Sequence, residues 1–447
     1  MAPIASNTGY GHSVHLGGTD ELIKSDEPTP NSIHFMMRMT LALGLVLVTC
    51  FYGYGQQVYS FRQTLKRVRE ANPTLQLQTL DVAASRSDEI TAGLRSNPIL
   101  NNQTLLQLSS KRLPADAGYL SRQNRQFWLQ LTKEFDLYGK RNRRVAFAQG
   151  LTQVSEANLK ENTRQMLRDV ALSWLDAWYA SVKLDLLQQT QANLDSLVAV
   201  NRVRLRNQVV STSDLTRTEV FSERNAVLIL TARQAFANQL MMLQVQLGQT
   251  DSVQIDLKDP VLSQVQFDSL LNYALQQRSD VQLARSGMVA AQRNVELQRV
   301  LAKPGNELGA IWNPQNAVPY LGVFLTFELP VFSRNQGEIQ KSKILQQQAQ
   351  DQRTFLEKRI SVELQTAVNT FRNHQRSIQR FEQLLRQSDQ VLNAVRYTYV
   401  KGATTLVDYL EAQRAWYETR QSYFDALYDY RKSFVDVLYT SGLISEW

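Results

Sequence analysis

Cysteine and histidine, the side chains most often recruited to nucleophilic or metal chemistry, are scarce in this chain. Its 447 residues hold one cysteine, Cys50, and four histidines, of which only His374 lies beyond Cys50. A zinc site needs several such ligands, and a Ser-His or Cys-His nucleophile pair would rest on His374 alone. Asp425 and Asp429 are paired acids one helical turn apart, but on an aromatic-rich stretch they read as surface charges. The basic run Gly139-Lys140-Arg141-x-Arg143-Arg144 lacks the Gly-x-x-x-x-Gly-Lys-Ser/Thr pattern of a phosphate loop. It reads instead as a basic exit from a strand into a helix. Lys and Arg are interspersed with nearly as many Asp and Glu, so the net charge of +8 describes a solvated surface and not a nucleic-acid face. These residues imply no enzyme, no cofactor and no resident metal.

The elements that carry these residues are unusual. From Leu151 to Leu247 the chain has neither Gly nor Pro, and the same holds from Glu338 to Lys401. Globular helices average about a dozen residues between breakers. Leu364, Phe371, Ile378, Leu385, Leu392 and Tyr399 recur every seventh residue, interleaved with Ile360, Ala367, His374, Phe381, Ser388 and Val395. This is the 4-3 spacing of a coiled-coil seam, in which His374 is a tolerated polar core residue. A helix over Glu338–Lys401 would be about 95 Å long at about 1.5 Å per residue. From Asp408 to Tyr439 a further helix pattern carries Tyr409, Trp416, Tyr417, Tyr428 and Phe434 as a packing face.

The start of the chain reads as an export signal. Met36-Met37-Arg38-Met39-Thr40, the apolar run Leu41–Val48 and Gly53-x-Gly55 make a signal peptide over residues 36–55, preceded by an extension over residues 1–35. Leu47-Val48-Thr49-Cys50 also resembles a lipoprotein cleavage box, with Cys50 as the lipidation site. The remainder reads as two structural repeats, residues 56–255 and 256–447. Phe61-Arg62-Gln63-Thr64-Leu65 with Asn72-Pro73-Thr74-Leu75 corresponds to Phe267-Asp268-Ser269-Leu270-Leu271 with Arg278-Ser279-Asp280-Val281. Phe127-x-Leu129-x-Leu131-x-x-Glu134-Phe135 corresponds to Leu321-x-Val323-x-Leu325-x-x-Glu328-Leu329, and Gln208–Asp214 to Gly402–Asp408. Each copy holds two short strand signals, at about 99–108 and 126–137 and at about 306–312 and 320–329. The second of each pair alternates apolar and polar residues like a tilted transmembrane strand. The first hairpin connection holds Pro114 and Gly118.

The expected fold is therefore mainly α with a small β part. Four strands alone would leave two bare edges in a bilayer, where each unpaired backbone group costs several kcal/mol. Eight strands fill their own interior, whereas twelve enclose a lumen. Three chains are then the smallest conducting assembly: a 12-stranded β-barrel above an α-barrel of coiled-coil helices. The alternative is an exported coiled-coil spacer without a pore.

Several motifs carry a resemblance. They are Ala71-Asn72-Pro73-x-Leu75, Ser96-Asn97-Pro98-x-Leu100, Glu134-Phe135-Asp136-Leu137-Tyr138-Gly139-Lys140-Arg141-x-x-Arg144, Leu329-Pro330-Val331-Phe332-Ser333-Arg334-Asn335-Gln336-Gly337, and Tyr399-x-x-Gly402-x(5)-Asp408-x-Leu410-x-Ala412-Gln413. From about Gln56 onward the chain resembles the TolC-type outer-membrane efflux channel family, and its Phe-Asp-Leu-x-Gly-Lys-Arg form resembles the heavy-metal-efflux branch. The resemblance implies a homotrimer in the outer membrane that extends through the periplasm. It also implies a periplasmic adaptor and an inner-membrane pump of the resistance-nodulation-division type as partners, beside outer-membrane lipid. At the periplasmic tip, the matching turns are 206–215 and 399–410. Asp408 and Glu411 fall where the family places inward-facing acids, and Asp214 and Tyr399 where it places bonds that hold the tip shut. Val209, Val210, Gly402 and Ala403 fall on the adaptor-contacting turns. Asp214 and Asp408 also suit helix capping after a turn. Two departures stand out. Ala403-Thr404-Thr405 replaces an arginine just past the turn glycine, and Gln208 replaces the glycine of the first turn, which predicts a looser or helical turn there.

Overall fold

The computed structural model describes residues 58–106, 125–262, 269–314 and 319–447. The signal peptide, the extension before it, Cys50 and the hairpin connection with Pro114 and Gly118 lie outside the described residues. Two helices open the described chain, α1 (Phe61–Ala71) and α2 (Pro73–Gly93). Ser60 and Gln63 close a capping box at the start of α1. Asn72 starts α2: its side chain accepts the Leu75 N–H, and Pro73 takes the first helical position, where no N–H is needed. Strands β2 (Ile99–Leu106) and β3 (Arg125–Glu134) follow, then α3 (Lys140–Arg206) and α4 (Thr212–Gln246). The chain continues through α5 (Leu270–Gln277), α6 (Ser279–Leu301), β5 (Asn306–Asn313), β6 (Tyr320–Phe327), α7 (Gln336–Val400) and α8 (Leu406–Ser441). The two-residue strands β1 (Val58–Tyr59) and β4 (Gln254–Ile255) pair in parallel.

α3 has 67 residues and α7 has 65, so each is about 100 Å long. The expected seam of α7 is the buried one. Ile360, Leu364, Phe371, Ile378, Leu392 and Tyr399 are buried, and His374, Phe381 and Val395 are half-buried. The main core lies where α1, α3, α7 and α8 meet: Phe61, Leu65, Trp174, Leu175, Ile360, Phe434 and Leu438 pack together. Trp174 meets Phe61 edge-on at 5.5 Å. Asp425 is no free surface charge, because Tyr179 on α3 donates to it. In return Tyr428 on α8 donates to Asp176 at 2.5 Å. The two tyrosine rings lie 4.9 Å apart between these bonds.

The second sheet is fully antiparallel in the order β2-β3-β5-β6, with β2 and β6 at its edges. The register puts Leu100, Leu131, Ala310 and Val323 in one row across the four strands. Leu308, Trp312, Leu321, Leu325 and Phe327 share that face. It is exposed: Leu321 keeps 80% of its surface and Val323 83%. The opposite face is mixed: Asn101, Gln103, Gln130, Thr132, Glu134 and Glu307 share it with Trp128, Ile311 and Phe324. An exposed apolar sheet face of this kind seeks a cover other than water.

Arg164 and Arg278 are almost fully buried. Arg164 on α3 donates two bonds to Glu161, at 2.9 and 2.8 Å, and one at 2.8 Å to the Tyr439 carbonyl near the end of α8. Arg278, at the break between α5 and α6, grips Asp280 at 3.1 and 2.6 Å and donates at 2.8 Å to the Thr440 carbonyl. Both guanidinium groups thus sit on the carbonyl end of α8, where cations are favoured.

Candidate functional site at the helical tip

Both long helices end at one end of the molecule in the same way. At the end of α3 the Val209 N–H reaches the Arg204 carbonyl at 2.8 Å, and the Gln208 N–H reaches Leu205 at 2.9 Å. At the end of α7 the Ala403 N–H reaches Thr398 at 2.9 Å, and the Gly402 N–H reaches Tyr399 at 2.9 Å. These paired bonds make a Schellman motif, which needs a left-handed residue just past the helix. Gly402 supplies it with φ of 79° and Gln208 with φ of 58°. The first turn is therefore neither loose nor helical. Two backbone bonds hold Gln208 where glycine would sit without strain. A side chain in this conformation costs about 1 kcal/mol, so Gln208→Gly is expected to tighten the turn. Hydrogen exchange at the amides of residues 208 and 209 should slow by roughly two- to fivefold, read by mass spectrometry.

The next helices start alike as well. Ser211 caps α4 and exchanges bonds with Asp214 at 3.1 and 3.2 Å. Thr405 caps α8 and does the same with Asp408, at 3.2 and 3.1 Å. Asp214 and Asp408 are thus the third-position partners of capping boxes. The hydroxyls of Thr405 (2.6 Å) and Thr404 (2.8 Å) also donate to the Asp408 carboxylate. These bonds, together with the Thr405 N–H, hold its pKa below the usual carboxylate value. Asp408 is exposed and ionised. Glu411, one turn on, is exposed as well. It lines a groove of about 700 Å³ between α4 and α8 with Arg217, Phe221, Arg224 and Arg414. Gln413 at the groove floor is buried, with neither amide atom paired among the described residues.

Tyr399 is buried and bonded, but not to Asp214 directly. Its hydroxyl donates at 2.6 Å to Asn201 on α3. Asn201 donates at 2.9 Å to Thr218 on α4, and Thr218 donates at 2.8 Å to the Asp214 carbonyl. This buried relay ties α7 to both helices of the other pair. Arg204 adds a second tie, with its guanidinium 4.7 Å from the centre of the Tyr399 ring. Leu197, Leu406 and Tyr409 pack around Tyr399. Of the turn residues, Val209, Gly402 and Ala403 are exposed and Val210 is half-buried. The sequence reading missed Asn201, Thr218 and Arg204. Asn201 had a signal: Leu187, Thr190, Leu194, Leu197 and Asn201 follow the 4-3 spacing, and a polar residue in such a seam specifies its partner.

The fold agrees with known proteins. Residues 270–441 match the family described as outer membrane efflux protein. The cation efflux system protein CusC of Escherichia coli O157:H7 is 24% identical over 388 residues, covering 80% of this chain and 80% of its own. The proteases secretion protein PrtF of Dickeya chrysanthemi is 20% identical over 321 residues, covering 67% of this chain and 69% of its own. The crystal structure of the outer membrane protein VceC from Vibrio cholerae superposes with a TM-score of 0.69 at 16% identity, covering 86% of this chain and 96% of VceC. Residues 270–441 thus match the outer membrane efflux protein family, and most of the chain is similar to outer-membrane efflux channels, which are passive ducts that span the outer membrane and extend into the periplasm.

Proposed function

We propose that three copies of this chain close one conduit and that the α3–α4 and α7–α8 turns gate its periplasmic end. The observation that carries this reading is the four-stranded sheet. It exposes one apolar face, leaves β2 and β6 with free edges, and stands on helices about 100 Å long. A lipid bilayer suits the face, and the edges of two neighbours suit the edges. Twelve strands then surround a lumen lined by the mixed face that carries Gln103, Gln130 and Glu134. α4 supports the same assembly. It is apolar over an 18-residue window, mean hydropathy 1.2, yet only 6% of that window is buried within one chain. Val220, Val227, Leu230 and Met241 are exposed along it and suit a neighbouring helix.

Internal duplication underlies the arrangement in this reading. Supporting it, Asn72 at the α1–α2 break donates to the Gln246 carbonyl at the end of α4, as Arg278 at the α5–α6 break donates to Thr440 at the end of α8. A periplasmic adaptor docks on the turns at Val209, Val210, Gly402 and Ala403, and an inner-membrane pump, of the resistance-nodulation-division type, supplies the energy. The cargo follows the pump, as relatives named for cation efflux and for protease secretion illustrate.

In a trimer, Asp408 and Glu411 form rings of three carboxylates, which favour cations. Asp408→Asn with Glu411→Gln removes the charge while Asn can still accept the cap bonds. In planar bilayers the double variant is expected to conduct more and to lose much of its cation preference. An unchanged current would remove both residues from the gate.

A further inference from the structure

Both exits from the sheet into the long helices carry the same unsatisfied surface. The apolar face of β3 carries Leu129, Leu131 and Lys133, and beyond the strand Phe135 and Leu137 follow, both exposed, Leu137 at 67%. The same face of β6 carries Leu321, Val323, Leu325 and Phe327, and beyond the strand Leu329, Val331 and Phe332 follow, all exposed, Phe332 at 93%. Cations follow at once. α3 opens with Lys140, Arg141, Arg143 and Arg144 and has no acid in its first turn. Arg143 pairs with Glu296. The side chains of Lys140, Arg141 and Arg144 make no hydrogen bond or ion pair among the described residues. The backbone N–H groups of residues 140 and 141 are already taken by Asp136, at 2.7 Å each. The side chains therefore make this surface, not the helix end. Indeed, four cations at the positive pole of a helix are locally disfavoured, so an anion from outside the chain would relieve them. On the second exit the Arg334 side chain donates, among the described residues, only to the Pro330 carbonyl, at 3.2 Å, next to the exposed Phe332. The nearby acids are committed to other groups, Asp136 to those two amides and Glu296 to Arg143. Glu134 lies opposite Glu307 in the register, on the sheet's other face.

We infer that this collar binds the headgroups of anionic phospholipids at the periplasmic boundary of the membrane. Leu137 and Phe332 enter the acyl region while Lys140, Arg141, Arg144 and Arg334 meet phosphate. Exposed apolar anchors continuous with a lipid-facing sheet and bordered by unpaired cations are the chemistry of an anionic interface. The inference rests on the outer-membrane reading and deepens it by naming a lipid class.

The test uses the full-length protein in mixed micelles of phosphatidylethanolamine with or without phosphatidylglycerol, with retained lipid counted by native mass spectrometry. Four cations at a charged surface, at about 1 kcal/mol each, give the wild type a preference for phosphatidylglycerol on the order of 1,000-fold. In Lys140→Gln/Arg141→Gln/Arg144→Gln that preference should fall to the few-fold level that Arg334 alone supplies, and in Arg334→Gln by a few fold, which still reads out if the triple variant does not assemble. Inorganic phosphate should not displace the lipid; displacement would mark a free-anion site and overturn the proposal. Equal retention of both lipids by the wild type, or a preference that survives undiminished in the variants, would also overturn it. Bilayer conductance separates the two readings. A conducting wild type without lipid preference sinks only the collar, whereas one that never conducts sinks the channel.

Discussion

Arg278→Met is expected to cost about 3–5 kcal/mol of stability, the usual loss when one partner leaves a buried ion cluster. Arg278 keeps 2% of its surface and Arg164 keeps 1%. Methionine fills the volume but leaves Asp280 short of its main partner and the Thr440 carbonyl without a donor. Glu363, on α7, loses a contact at 3.3 Å as well. The cluster thus joins α3, the α5–α6 break, α7 and the end of α8, and its loss loosens all four. The penalty comes from stranded charge more than from the strength of the ion pair. Arg278→Met with Asp280→Leu should therefore recover a large part of what the single change loses. Thermal unfolding of the detergent-solubilised protein measures both; a single variant within 1 kcal/mol of the wild type would refute the account. The cluster also sets an acid limb. Burial raises the pKa of Asp280, but the bonds and charge of Arg278, with Arg164 behind them, outweigh it and hold the net value below normal. A depressed carboxylate contributes stability above its unfolded pKa of about 3.9 and loses it as the pH falls through the folded value. Wild-type stability should hold down to about pH 4 and then drop, with a smaller drop in Asp280→Asn.

How far the sequence reveals this molecule depends on how local each cause is. The long helices are legible because their cause is local. Stretches without Gly or Pro and a 4-3 apolar seam leave the chain little else to do, and the buried face of α7 follows that seam. The turn between α3 and α4 is harder to see, since Gln208 adopts a left-handed conformation that its side chain does not advertise. The ion cluster is invisible for the opposite reason. Glu161, Arg164, Arg278 and Asp280 look like ordinary surface charges until the fold carries the end of α8 between them. Asn201 lies between these cases: its seam position marks it as buried, yet nothing local names Tyr399 as its partner. At the tip, capping could be read from Asp214 and Asp408 because a capping box spans only a few residues. Pore geometry is a property of several chains, and one chain's sequence speaks to it only through unsatisfied edges and faces.

Gly248→Ala should destabilise the protein by about 3 kcal/mol or more, whereas the same change at Gly402 should cost only about 1 kcal/mol. The two glycines have the same local role. Each sits just past a long helix with positive φ, 62° and 79°, in a Schellman motif, so a methyl group meets the same backbone strain at both. Their surroundings differ. At Gly402 the nearest atom to an added Cβ is the mobile end of Arg204, at 3.5 Å. At Gly248 it is the Ala71 carbonyl oxygen, at 2.4 Å, far inside van der Waals contact. That oxygen belongs to the half-buried last residue of α1, whose helical backbone cannot swing aside as a side chain can. Relief requires the end of α4 to back away from the α1–α2 break. The break holds α4 through a bond of 2.7 Å from Asn72 to the Gln246 carbonyl, and the same movement stretches it. Asn72 also caps α2 through its other side-chain atom, so the disturbance spreads into the helix that leads to β2. Melting temperatures of the two variants, taken side by side in one detergent, give the comparison. Equal losses would mean that backbone conformation alone decides both sites. A much larger loss at Gly248 would show that close approach of α4 to the α1–α2 break, and not the turn itself, requires glycine there.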